Sequence, residues 1–220
     1  QAKLVSSDMA TNDYFGHRVD IEGDYAIVGA YNKNSNTGAA YIFKRSGTSW
    51  TQQSKLTASN AGSADEYGRA VGISGDYAFV GARCEDSGGT GMGSVYSYER
   101  SGTTWTQQAQ IQASDAQDSD SFGWALSVDG DYAIIGAYTE DTGGLNAGSA
   151  YIFKKESTYV FTGTSPSTIT LGGFWYTNFS RWYQKSTSDA TSSYVRYILW
   201  NSSGQVGANY GTSFYTNSSG

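Results

Sequence analysis

Apolar and polar positions along this chain fall into one pattern that is written three times. In the first copy a short alternating run, Val19-Asp20-Ile21, is followed by a Gly23-Asp24 turn and the apolar run Tyr25-Ala26-Ile27-Val28-Gly29-Ala30. A polar loop leads to Ala39-Ala40-Tyr41-Ile42-Phe43-Lys44, then to a Ser46-Gly47 turn, then to Trp50 through Ala58, where large and polar groups alternate. Alternation predicts strands, and a short apolar run predicts a strand covered on both faces. Each copy therefore reads as four strands joined by tight Gly turns. Ile27, Val28, Phe79, Val80, Ile134 and Ile135 are expected to be buried in the second strands. Tyr41-Ile42-Phe43 and Tyr151-Ile152-Phe153 are expected beside them in the third. Gln52, Gln53 and Lys55 suit the exposed edge that a fourth strand would form.

The spacing makes the repeat explicit. Asp24, Asp76 and Asp131 lie 52 and 55 residues apart, whereas Tyr41, Tyr96 and Tyr151 lie 55 and 55 apart. The second copy therefore carries its extra residues in one loop, as a repeated structural unit tolerates. Phe15-Gly16, Tyr67-Gly68 and Phe122-Gly123 open the copies, and Gly29-Ala30, Gly81-Ala82 and Gly136-Ala137 close the second strands. These pairs resemble the FG-GAP repeat, the unit of integrin-alpha-type β-propellers. The resemblance covers about residues 1–156. It implies an all-β fold of three four-stranded blades, at about residues 1–53, 54–108 and 109–157. Three blades fall short of the usual ring of four to eight, so the ring is expected to be incomplete. The first and last blades should then expose apolar faces, or be covered by another chain or by the tail. Gln1-Ala2-Lys3-Leu4 matches Gln53-Ser54-Lys55-Leu56 and Gln108-Ala109-Gln110-Ile111. The chain thus opens in mid-strand, and we expect further repeats upstream or an edge supplied by another chain.

The repeat stops near residue 158. Residues 158–220 hold short aromatic runs separated by Gly, Ser, Thr and Asn, and read as a separate small β module. Trp175, Tyr176, Trp182, Tyr183 and Trp200 are candidate sugar-binding faces, because exposed aromatics offer a flat apolar surface with a polar edge. The competing reading makes them the module's core, since so small a domain must bury large groups. Asn178, Asn201 and Asn217 each begin an N-glycosylation acceptor pattern, and all three fall in the tail.

Composition narrows the function classes. The 220 residues include 28 Gly, 18 Tyr and one Pro, with no apolar run long enough for a membrane span. The formal net charge is −6. Beyond Ser157 only Arg181, Lys185, Arg196 and Asp189 are charged, a balance of +2 that leaves −8 on the repeats. An acidic array disfavours nucleic acid. Cys84 is the single cysteine, so no disulfide framework exists, and the single His17 cannot build a histidine metal site.

Strand direction places the loop before each Phe-Gly and the loop after each Gly-Ala on one face. Most of the acid lies in these loops. Glu85, Asp86, Asp118, Asp120, Glu140 and Asp141 are the candidate calcium ligands, because clustered carboxylates suit a hard cation. Acidic solvated loops are the competing reading. The calcium loop of the resembled family, an Asp-x-Asp-x-Asp-Gly insert, is missing here, so that ligand set is not transferred. Gly-Ala is followed by Tyr31, Arg83 and Tyr138 instead of the family's Pro.

No nucleophile–base set or phosphate loop is present, and the acidic pairs recur with the repeat. We therefore expect no enzymatic activity. The expected role is adhesion, recognition or assembly on an extracellular, cell or virion surface, through a protein or glycan partner or through copies of itself. The alternatives are a structural subunit of a filament or virion appendage, and the non-catalytic part of a glycan-active enzyme.

Overall fold

The computed structural model describes residues 1–155 with their side chains and, beyond them, the backbone of five two-residue strands. The chain divides into two compact units, residues 1–176 and 177–220.

The first unit is built from three antiparallel four-stranded sheets. Blade 1 contains β1 (Val19–Glu22), β2 (Tyr25–Ala30), β3 (Ala39–Ser46) and β4 (Ser49–Leu56), hydrogen-bonded in that order. Blade 2 repeats it with β5 (Tyr67–Ser74), β6 (Tyr77–Ala82), β7 (Ser94–Ser101) and β8 (Thr104–Ile111). Blade 3 has β9 (Phe122–Asp129), β10 (Tyr132–Ala137) and β11 (Ser149–Lys155). The strands β12 (Val160–Phe161) and β13 (Ile169–Thr170) pair with each other. The fourth place in blade 3 is taken by β14 (Trp175–Tyr176), whose Trp175 stands opposite Lys155 and whose Tyr176 stands opposite Lys154. In the second unit β15 (Tyr194–Val195) pairs with β16 (Phe214–Tyr215).

The two glycine pairs of each repeat have separate physical causes. Gly68 and Gly123 adopt φ of 91° and 86°. They sit where the first strand bulges, between Tyr67 and Ala70 in blade 2 and between Phe122 and Ala125 in blade 3. Positive φ at a bulge favours glycine. Gly29 and Gly81 answer to close approach instead. A Cβ on Gly29 would lie 2.1 Å from the Gly68 carbonyl oxygen, and one on Gly81 2.3 Å from that of Gly123. The Gly-Ala of one blade is thus the seat for the Phe-Gly backbone of the next.

Blades pack face to face through apolar clusters. Ile27 and Ile42 of blade 1 meet Val71, Ile73, Val80 and Tyr96 of blade 2. Phe79 and Val95 of blade 2 meet Phe122, Ile135 and Phe153 of blade 3, with Leu126 and Val128 against them. Gln53 and Gln52, expected at an exposed edge, are engaged. Gln53 Oε1 accepts from the Trp105 indole at 2.9 Å, and Gln52 holds Ser7.

The burial expectation holds for blades 1 and 2 and needs correction in blade 3. Ile27, Val28, Phe79, Val80, Ile135 and Phe153 are buried. Ile134 is 46% exposed, Ile152 is 62% exposed and Tyr151 is only partly buried. The cause is position in the array. Ile134 and Ile152 are the counterparts of Ile27 and Ile42, which are covered by the following blade. Val19 and Ile21, at 65% and 62%, are exposed at the other end. The sheets therefore form an open array with apolar faces at both ends, as expected of an incomplete propeller.

Candidate functional site: the loop-bearing face

The loop after each Gly-Ala meets the loop before the next Phe-Gly, as strand direction required. The Glu66 N–H donates to the Asn36 carbonyl at 2.8 Å, and the Ser119 and Ser121 N–H groups donate to the Thr90 and Gly91 carbonyls at 2.8 and 3.0 Å. Backbone bonds of this kind fix the loops between blades.

Three equivalent positions organise the acid on this face. Lys33, Glu85 and Glu140 each stand third after Gly-Ala, and all three are buried. Asp13, Asp65 and Asp120 hold another shared position, also buried. In copy one the Lys33 ammonium lies 2.8 Å from Asp13 Oδ2 and donates to the Asp8 carbonyl at 2.7 Å. In the other copies a glutamate replaces the lysine and is held by its own loop, with one further bond to Glu85 from the loop before Tyr67. Glu85 accepts from the Ser94 hydroxyl, the Ser87 N–H and the Asn60 amide. Glu140 accepts from the Ser149 hydroxyl and the Thr142 N–H, both at 2.6 Å. Burial raises the Asp65 carboxyl above its ordinary value, and the charges of Glu85 and Asp86 add to this. Burial likewise raises Asp120, with Glu140, Asp141 and Asp115 adding to it.

The remaining calcium candidates also serve their loops. Asp86 Oδ1 accepts from the Gly91 N–H and Asp141 Oδ1 from the Asn146 N–H, each at 2.6 Å. Asp118 lies against Gly89, whose added Cβ would sit 2.4 Å from Asp118 Oδ1. Among the described residues no group of three or more His, Cys, Asp or Glu side chains converges as a metal site. The side chains of Trp175, Tyr176, Trp182, Tyr183 and Trp200, and the acceptors Asn178, Asn201 and Asn217, lie outside the described residues.

Beside the acidic loops the face carries a row of aromatic rings and guanidinium groups. It comes from two repeat positions, the residue after Phe-Gly (His17, Arg69, Trp124) and the residue after Gly-Ala (Tyr31, Arg83, Tyr138). The Tyr31 ring lies 4.6 Å from His17 and 5.5 Å from Tyr14. The Arg69 guanidinium covers Tyr31 at 4.8 Å and Trp124 at 4.3 Å. Arg83 covers Trp124 at 4.7 Å, and Tyr138 stacks on that indole at 4.2 Å. Glu66 fixes Arg83 with a two-point bond, at 2.6 Å to Nε and 2.7 Å to the terminal nitrogen, which raises the Arg83 pKa. Burial pushes the His17 imidazole below its ordinary pKa, and Arg69 and Arg18 push the same way. Burial raises the neighbouring Cys84 thiol, which keeps it protonated.

The sequence reading did not single out this row. Its signal was present, because both positions flank the repeat's own glycine pairs. The residue types differ from copy to copy, so the row shows only when the copies are superposed in space.

The FG-GAP repeat family matches residues 1–43, 50–98 and 105–153, more than half of the chain. No curated protein matches it. The second and third matches each begin on the fourth strand of one sheet and end on the third strand of the next, so the family unit bridges neighbouring blades. With its glycine pairs seated blade on blade at both internal junctions, the chain belongs to the FG-GAP repeat family of β-propeller-like proteins.

Proposed function

We propose that this chain is a non-enzymatic recognition module of an extracellular or surface-exposed protein, and that its partner docks on the loop-bearing face. The observation that carries this reading is the row of Tyr14, Tyr31, Arg69, Arg83, Trp124 and Tyr138. Tyr, Trp and Arg are the residues that dominate binding energy at protein interfaces. Here they are drawn from three blades and held by ring stacking and by Glu66, so little side-chain order remains to be lost on binding. Tyr14 and Tyr138 remain about half exposed and offer the contact surface. Among the described residues no helix is long and apolar enough to cross a membrane.

The test is selection of peptides from a random displayed library against the whole chain. Selected peptides should lose binding to Trp124→Ala and Tyr138→Ala and keep it for Asp24→Asn, in a turn on the opposite face. Selection that yields no binder, or binders indifferent to Trp124 and Tyr138, overturns this reading.

A further inference from the structure

The row and Glu66 together hold two guanidinium groups and one carboxylate. Arg69 is the more enclosed of the two arginines, its side chain 15% exposed against 23% for Arg83. The Tyr31 ring of blade 1 lies 4.8 Å from its guanidinium and the Trp124 ring of blade 3 lies 4.3 Å from it. A planar guanidinium stacked on rings bonds through its edge, where its N–H donors lie. Both oxygens of Glu66 already take the edge of Arg83, at 2.6 and 2.7 Å. Arg69 Nε is left 3.8 Å from Glu66 Oε2, too long for a hydrogen bond. Among the described residues no other acceptor reaches the Arg69 guanidinium. Arginine is seldom enclosed to this degree without a partner.

Backbone bonds fix this arrangement. The Arg69 N–H donates to the Glu66 carbonyl at 3.0 Å, and the Glu66 N–H donates to the Asn36 carbonyl at 2.8 Å. Arg69 and Glu66 thus share one turn of blade 2, with rings from both neighbouring blades against Arg69. An anion arriving at the Arg69 edge meets donors that are already ordered. Arg83 shows the same contact completed. It lies 4.7 Å from the same indole and carries a two-point carboxylate bond, which adds geometric selectivity to its strength.

We propose that the partner of this face is a protein segment that brings a single Asp or Glu side chain onto the edge of Arg69, as Glu66 sits on the edge of Arg83. The inference rests on the docking reading above and adds the chemistry of the contact. Tyr14 stacks beyond Tyr31 and Tyr138 beyond Trp124, so the two half-exposed rings stand on either side of the acid and meet its apolar neighbours. A run of acid does not fit, because the exposed carboxylates of Asp86, Asp118 and Asp141 lie on loops of the same face. A sugar fits less well than a peptide. It stacks on bare ring faces, whereas Trp124 already meets two guanidinium groups and Tyr138, and Tyr31 meets Arg69 and His17.

The experiment screens two synthetic peptide libraries against the whole chain. They are alike except for a central Glu in one and a central Gln in the other, and both have acetylated and amidated ends. Binders should come from the Glu library, and each should lose roughly tenfold or more in affinity when its Glu becomes Gln. Arg69→Gln should bring the two forms to equal affinity, with circular dichroism confirming its fold. The comparison of Glu and Gln forms on wild type decides the matter even where that variant does not fold. Glu and Gln forms that bind wild type alike overturn the proposal, as does a Glu preference that survives Arg69→Gln. If those peptides still depend on Trp124, the docking reading stands and only the acid is wrong. Two libraries without a binder overturn the proposal too, while the docking reading is judged by the random selection above. A uronic-acid oligosaccharide that binds through Arg69 when no peptide does overturns it and assigns the carboxylate to a glycan.

Discussion

The Tyr41 hydroxyl donates to Asp8 Oδ1 at 2.7 Å, across 33 residues of chain. The same bond recurs from Tyr96 to Asn60 at 2.7 Å and from Tyr151 to Asp115 at 2.9 Å. Each ties the third strand of a blade to the segment entering it. Tyr96→Phe keeps the ring packing and removes only the bond, so it should cost about 1 kcal/mol in denaturant unfolding.

Asp8 adds a pH dependence. Burial acts to raise its carboxyl, but hydrogen bonds from Lys55 and Tyr41 and the charges of Lys55 and Lys33 outweigh this and bring it down to about 2. A folded value below the ordinary 3.8 means that the unfolded chain binds the proton more readily. The contribution of Asp8 is therefore present above about pH 4 and is lost as pH falls toward about 2. Asp8→Asn should be less stable than wild type at neutral pH, with the gap narrowing over that window in acid melts.

Ile27 and Ile134 share a repeat position but not an environment. Ile27→Ala should cost roughly 2–5 kcal/mol, as for a buried large-to-small change. Ile134→Ala should cost roughly 1 kcal/mol or less in the single chain, because the side chain is already half exposed. Urea unfolding of both variants under monomeric conditions measures the difference. Equal costs would show that the Ile134 face is covered in the monomer.

At Asp120 the folded carboxyl is raised, so its charge works against the fold as pH rises through that value. Asn can still accept the Gln117 N–H that Asp120 accepts at 2.7 Å. Asp120→Asn should therefore raise the melting temperature at neutral pH, with the gain vanishing near pH 4. Calcium is measured in the same melts. A calcium-dependent rise in wild type, absent from Asp86→Asn with Asp141→Asn, would assign a cation to these loops.

His17 gives the opposite slope. Its folded value is lowered and its Nδ1 is buried without a hydrogen-bond partner. Below the ordinary value of 6.5 the unfolded chain takes up a proton that the folded chain resists. Stability should fall as pH drops from about 6.5, and His17→Gln should flatten that part of the profile in thermal melts.

Strands, turns and glycine pairs could be read from the chain because their causes are local. Alternation sets which face a strand buries, a bulge selects Gly68 and Gly123, and chain direction alone brings the Phe-Gly and Gly-Ala loops to one face. What the sequence could not decide was coverage, which belongs to the neighbouring blade. Ile134 and Ile27 look alike in the chain, yet only Ile27 has a blade over it. Lys33 and Glu140 look like ordinary loop charges, yet both are buried, Lys33 against the segment that carries Asp8 and Asp13 and Glu140 within its own loop. Trp175 lies beyond the repeat in sequence, and only pairing with Lys155 reveals it in the register of Trp50 and Trp105. The aromatic and arginine row likewise exists only in space. Arg69 reaches Tyr31 and Trp124 because blade packing brings residues from three copies within stacking distance.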